Sequence, residues 1–343
     1  MISLRRLPKR ALDIVLKNMT TMKQLFISLC NKSFKSQIHF LNTGIDFDFR
    51  IMIGEVCRIY VLSPDRGSLG LYFHTNESED WSRKEGEPKR TFSENDTVLI
   101  TYIANDWKYG KRFDSNNCKK SARQWILLLK EVFNLKKIET LKYESDDYCF
   151  NSIKETLRGL KIETLEITGN EAMKNYQEFL KAVPPCDNFV QDSIQEVKNY
   201  RNVLMQNFVS IDISFPFENF SEILLINSKF ARIPGETFTI KSLNQFLKLW
   251  MKGSNPNAKY FSIDWIPLWD DEDVKDVLRG IPYEVIPYTV ERSLSNVPHY
   301  VPYADKKIRG GYDIRRMIDG AEATVKLDCF ATAFSFELFV WDE

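Results

Sequence analysis

The chain has 343 residues, 43% of them hydrophobic, 13% aromatic and 27% charged. That length suggests about two domains, and the composition excludes a disordered or fibrous polypeptide. Basic and acidic side chains both number 47, for a net charge of zero. The longest strongly apolar stretch, residues 330–341, carries Glu337 and is too short to cross a bilayer, so no transmembrane helix is expected.

The balance is uneven along the chain. Residues 1–40 hold eight basic side chains against Asp13 alone, leaving 39 basic and 46 acidic for the rest. A basic head on an acidic body suits a nucleic-acid arm, a mitochondrial presequence or a helical module with a basic outer face. The six cysteines (Cys30, Cys57, Cys118, Cys149, Cys186 and Cys329) are scattered without a CxxC pair. They read as reduced thiols of an intracellular protein, cytoplasmic or nuclear, and not as a disulfide framework or zinc site.

In the head, Leu12, Val15, Leu16 and Met19 fall at i, i+3, i+4 and i+7, on one helix face. Pro8 suits the start of that helix. Thr21 and Gln24 predict a capping box for a second helix bearing Met22, Leu25, Phe26 and Leu29. Phe34, Ile38 and Leu41 predict a third. Three short helices are near the lower limit for a self-sufficient core, so the unit should lean on another surface. Its basic residues fall off the apolar faces, as a solvated rim.

The run Leu4-Arg-Arg-Leu7-Pro8-Lys-Arg-Ala-Leu12, then Val15-Leu16, Met19 and Leu25-Phe-Ile-Ser-Leu29-Cys30, resembles an F-box, in particular that of the large nematode families. Phe34 stands where many F-boxes carry Trp. The resemblance implies docking onto a Skp-type adaptor and, through it, a cullin–RING ubiquitin ligase. Carried over by position, the adaptor contacts are Leu7, Pro8, Val15, Leu16, Met19, Leu25 and Leu29. Packing of these side chains within the chain's own core is the alternative.

After Gly44 the period changes to two: Ile45, Phe47, Phe49, Ile51 and Ile53 predict a half-buried strand. Val56–Leu62 and Gly70–Phe73 pair beside it around a turn at Pro64-Asp65-Arg66-Gly67. Residues 76–96 read as a charged loop, 98–103 as a strand, and Ser121–Phe133 as a helix with Trp125, Leu128, Leu129 and Val132 inward. Ile138-Glu-Thr-Leu141-Lys-Tyr143 then recurs as Ile162-Glu-Thr-Leu165-Glu-Ile167, with looser copies at 208–213, 220–225 and 258–263. This is a degenerate leucine-rich-repeat-like pattern of strands with helices between. A helix over Leu243–Trp250 follows a Ser242/Gln245 capping signal. Asp270 to Asp273 open another helix, which Gly280 ends. A hairpin through Asp319-Gly320 and a strand over Phe334–Val340 close the chain.

Ser242-Leu-Asn-Gln-Phe-Leu-Lys-Leu-Trp250-Met-Lys-Gly253, Tyr260-Phe-Ser-Ile263, Asp313-Ile-Arg-Arg316, Asp319-Gly320, Ala323-Thr-Val325 and Phe339-Val-Trp341 are similar to the F-box-associated type 2 domain of nematode F-box B-like proteins. This implies a substrate receptor without catalytic residues. The expected fold class is α+β to α/β: a three-helix F-box over 1–43, a β-rich linker region with a helix over 44–135, and a strand–helix substrate-recognition region over 136–343, closed by a C-terminal hairpin and strand.

No chemistry-bearing constellation stands out. His39, His74 and His299 lie far apart, and no GxSxG, Walker loop or metal-ligand spacing occurs. No catalytic residue, metal, cofactor, nucleic acid or membrane partner is therefore expected. Residues flanking the inward positions of the strand array point to one face, and the target-binding candidates among them are Lys142, Glu144, Glu166, Thr168, Asp212, Ser214, Tyr260 and Asp264. Thr140, Thr164, Ser210, Glu222 and Ser262 share that face. Five carboxylates against one lysine predict an acidic face and a basic target. A scaffold that binds the adaptor without ligase activity and an unrecognised enzyme remain as alternatives.

Overall fold

The computed structural model describes residues 4–74, 89–92, 97–103, 111–114, 120–169, 172, 174–192, 200–267, 274–293, 307–329 and 333–341. The charged loop apart from 89–92, Asp270 to Asp273, Cys118 and His299 lie outside the described residues. The chain divides into two compact units, Met1–Cys186 and Asp187–Glu343.

The first unit opens with a 3-10 turn, Leu4–Arg6, and helices α1 (Lys9–Lys17), α2 (Thr21–Cys30) and α3 (Lys32–Leu41). Pro8 occupies the N-cap of α1, where the missing N–H costs nothing. The α2 cap is Thr20, whose side chain accepts from Lys23 N. Thr21 and Gln24 are buried instead and serve longer-range bonds. Thr21 Oγ1 donates to Gly67 O at 3.0 Å, and Gln24 Nε2 donates to Leu16 O at 2.9 Å. The predicted capping box was therefore one residue late, because both side chains had stronger partners elsewhere.

Strands β1 (Asp48–Ile53), β2 (Cys57–Leu62), β3 (Ser68–His74), β4 (Thr97–Ile103) and β5 (Lys111–Asp114) follow, then helix α4 (Ala122–Phe133), β6 (Ile138–Tyr143), α5 (Phe150–Leu157), β7 (Ile162–Thr168) and α6 (Tyr176–Ala182). The sheet order is β7-β6-β1-β2-β3-β4-β5, parallel from β7 through β1 and antiparallel beyond. The two best repeats pair in register, Leu141 opposite Leu165 and Lys142 opposite Glu166. Phe49, Ile51, Ile59, Leu71, Leu141 and Leu165 are buried on one face. Helix α4, capped by a Ser121/Gln124 box, buries Trp125, Leu129 and Val132. Tyr143 stacks on Phe179 of α6 at 3.8 Å.

The three-helix module leans on its own chain. Asn42, at the end of α3, donates to Val132 O at 3.1 Å and to Gln24 Oε1 at 3.3 Å, and accepts from Arg66 Nη1 at 2.9 Å. Lys35 pairs with Glu131 at 2.6 Å, and His39 Nδ1 donates to Glu131 O.

The second unit comprises β8 (Cys186–Asp192), a helical turn α7 (Arg201–Leu204), β9 (Ser210–Ile213), a 3-10 segment (Phe220–Leu225), β10 (Phe230–Pro234), α8 (Ile240–Met251), β11 (Tyr260–Pro267), a second 3-10 segment (Val274–Leu278), β12 (Glu284–Ser293), β13 (Lys307–Arg315), β14 (Glu322–Cys329) and β15 (Ala333–Val340). Strands β8, β9, β10 and β11 are parallel neighbours; β15, β14, β13 and β12 continue the sheet antiparallel. Helix α8 starts three residues before the predicted segment, with Thr239 and Ser242 as a reciprocal cap. Its Phe246 packs on Phe261 and Phe336. The looser repeat at 220–225 is no strand but the 3-10 segment, and the strand falls at 230–234. The hairpin turn is held by Arg316, whose guanidinium bonds Asp319 at 2.9 and 2.7 Å and lies over Trp250.

Asn42 is 1% exposed and bridges three elements. Asn42→Ala leaves these partners without it and should cost about 2 kcal/mol of stability, read by urea denaturation.

Candidate protein-interaction surfaces

Two regions carry the predicted contacts, one in each role. On the three-helix module, Leu16 and Leu25 are fully withdrawn from solvent with Met22 and Ile38. They support the helices from inside and offer no surface. Leu7, Val15, Met19 and Leu29 are half-buried and Pro8 is exposed. Ile14 and Phe40, which sequence reasoning did not select, are 62% and 75% exposed. Both lie off the helical stripe that periodicity identifies, so the only signal was an apolar residue just outside it. Arg6, Lys9, Arg10, Lys17, Lys23 and Lys32 are exposed around this apolar set, as a solvated rim.

On the sheet of the first unit, the face opposite the core carries Lys142, Glu144, Glu166 and Thr168, all half-buried. Lys142 pairs with Glu166 at 3.0 Å and Glu144 at 3.7 Å, and Arg58 reaches Glu144 at 2.9 Å. Arg50 pairs with Asp48 on the same face. The acidic face expected from the repeats alone is therefore balanced here. Arg50 and Arg58 come from neighbouring strands that the repeat pattern does not include.

In the second unit, Tyr260 is not accessible. It is 1% exposed, in a small cluster with Phe230, Ile308 and Phe339, and its hydroxyl donates to Glu337 Oε1 at 2.9 Å. Residues from β13 and β15 thus cover the start of β11, a long-range packing that spacing does not reveal. Ser210 and Ser262 are buried as well, and Ser262 Oγ donates to Asp264 Oδ1 at 2.9 Å. Asp212, Ser214 and Asp264 stay partly open. Arg232, from the strand missed by sequence reading, bonds Asp264 at 2.8 Å and lies 3.7 Å from Asp212. Burial pushes the Asp212 carboxyl above its ordinary range; Arg232 opposes this, while Asp264 and Asp192 add to it.

Glu222 is not on this face. It is buried, accepting from the Tyr200 hydroxyl and from Arg201 Nε at 2.7 Å. Burial raises its pKa, but those two donors outweigh it and hold the carboxyl below its ordinary value.

A cleft of about 460 Å³ in the first unit is lined by Phe92, Ser121, Arg123, Ser152, Glu155, Thr156 and Arg158. Arg123 is committed there to the carbonyls of Glu155, Thr156 and Arg158, tying off the end of α5. Among the described residues, no three His, Cys, Asp or Glu side chains are placed to hold a metal ion, and no helix is long and apolar enough to cross a membrane.

Residues 199–263 match a family model described as F-box associated. The match runs from the residue before Tyr200 through β9, β10 and α8 into the first half of β11. No curated protein and no solved structure matches the chain.

The Glu222 cluster gives a pH signature. Its folded pKa lies below the unfolded value, so its contribution is present above the ordinary carboxylate range and fades as pH falls through the folded pKa. Glu222→Gln should lower stability at pH 7 and flatten the loss between about pH 5 and pH 3, measured by thermal melts across that window.

Proposed function

We propose that the protein is the substrate-recognition subunit of a Skp–cullin–F-box ubiquitin ligase. The observation that carries this reading is the F-box-associated match at 199–263. It stands downstream of a three-helix module with the Leu-Pro opening and an exposed apolar set. An F-box-associated region points to a substrate-adaptor family. The module docks a Skp-type adaptor through Leu7, Pro8, Val15, Met19 and Leu29, with Ile14 and Phe40 added by their exposure. Leu16 and Leu25 act beneath them by fixing the helices. The C-terminal region holds the target.

Such a receptor makes and breaks no bonds. It holds a target lysine and a ubiquitin-charged enzyme in one assembly, so that their encounter becomes effectively intramolecular. The acceptor and donor then meet at a raised effective concentration, and selectivity follows from which proteins the C-terminal region retains.

Co-purification with a Skp-type adaptor tests the docking. Anchors at an interface centre contribute about 2 kcal/mol each, so Leu7→Ala/Met19→Ala should abolish the complex while leaving the melting temperature near wild type. Failure of the wild type to bind a competent adaptor, or full binding by the double variant, overturns the reading. Leu16→Ala serves as a contrast: it lowers stability through an internal cavity.

A further inference from the structure

Four residues of the charged loop between β3 and β4, Lys89-Arg90-Thr91-Phe92, are pinned to the segment that follows β6. Arg90 forms a parallel bridge with Tyr148. Its N–H donates to Asp147 O at 2.7 Å, and its carbonyl accepts from Cys149 N at 2.8 Å. Side chains on either side of this rung complete the contact. Lys89 pairs with Asp146 and stands 4.5 Å from the centre of the Phe150 ring. Phe92 stacks on Tyr148 at 4.6 Å, and its N–H donates to Ser152 Oγ at 2.8 Å. Arg90 Nη1 donates to Glu55 O.

The surface beneath this strap is held in shape by other parts of the unit. Asp146 accepts from the Tyr143 hydroxyl of β6 at 3.2 Å and from Asn175 ahead of α6. Ser145 Oγ donates to Asp147, and the Tyr148 hydroxyl accepts from Cys57 N of β2 at 3.1 Å. Phe150 meets Phe179 of α6 edge-on. The strap itself contributes no buried residue: Lys89, Arg90 and Phe92 are half-buried and Thr91 is exposed, whereas Asp147 and Tyr148 are buried. One backbone rung, one ion pair over a ring and one aromatic stack, laid on a preorganised surface, are the means by which an extended peptide is bound. Main-chain bonds hold it, and spaced side chains select it.

We infer that this surface is a peptide seat, which residues 89–92 fill in cis and for which an extended target segment of the same chemistry competes. That segment presents a Lys or Arg, with an aromatic residue three positions on. The cation lies over Phe150 with its charge against Asp146, and the aromatic ring stacks on Tyr148. Tethered to its seat, the strap acts at an effective concentration on the order of millimolar, so it excludes segments that bind weakly. The inference rests on the reading of the chain as a substrate receptor, and it names what a target presents. The seat lies outside the span matched by the family model.

The test uses the full chain and a fluorescein-labelled Lys-Arg-Thr-Phe peptide, with Ala-Arg-Thr-Ala as its control, followed by anisotropy. Lys89→Ala/Phe92→Ala frees the seat and should bind the peptide saturably, at least about tenfold tighter than wild type, and should not bind the control. In that background Asp146→Asn should weaken the peptide by about tenfold. Because the strap lies on a finished surface, the double variant should melt near wild type. Lys89→Ala alone, which keeps the stack, is a milder opening and should shift binding in the same direction. Equal binding by wild type and the double variant, no saturable binding by either variant, or an undiminished Asp146→Asn overturns the inference. Adaptor co-purification on the same chains keeps the two readings apart. A double variant that binds the peptide but no adaptor, with a wild type that also fails to bind adaptor, refutes the docking alone. Chains that bind adaptor but no peptide refute this seat alone.

Discussion

In-register parallel pairing, Leu141 against Leu165 in the first unit and Ile211 against Ala231 and Phe261 in the second, is the constraint on which the rest depends. Once those apolar side chains share a face with the helices, every intervening residue is forced to the opposite face. That face then carries Lys142 beside Glu166, and Asp212 beside Arg232, at contact distance. Side chains so placed either neutralise one another or remain available to a partner. The first unit's face takes the former course, and in the second unit Arg232 contacts both Asp212 and Asp264.

The three-helix module obeys a different constraint. Too small to bury its own apolar faces, it anchors on the first unit through Asn42, Thr21 and Lys35. That anchoring occupies its polar interior and leaves Leu7, Ile14, Val15, Met19 and Phe40 toward solvent. Exposed apolar side chains collected on one small module are what an obligate or regulated partner covers.

Much of this was legible in the sequence. Alternation over Ile45–Ile53 found β1, and the repeated Ile-Glu-Thr-Leu found β6 and β7. Helix α4 followed from its cap and its inward residues. What escaped has physical reasons. Strand β8 buries Asn188 and Gln191, polar residues whose burial is secured by bonds to neighbouring segments. Strand β10 is five residues long and ends in Pro234. Strand β12 is exposed on both sides and so shows no period. The charge of the sheet face differs from the count over the repeats because Arg50, Arg58 and Arg232 arrive from strands outside them. Burial of Tyr260 depends on Ile308, 48 positions away in the chain. Trp265 is exposed because β11 bulges between Ile263 and Ile266, where strict alternation would turn it inward.

The central claim is a division of labour, with adaptor docking confined to the helical module and target recognition left to the C-terminal region. Hydrogen–deuterium exchange of the full chain, with and without a saturating Skp-type adaptor, tests it most directly. The account predicts slowed exchange in residues 4–19 and 27–41, with peptides covering 208–267 unchanged. Protection concentrated in 208–267, or no protection in the helical module when adaptor is bound, would contradict it.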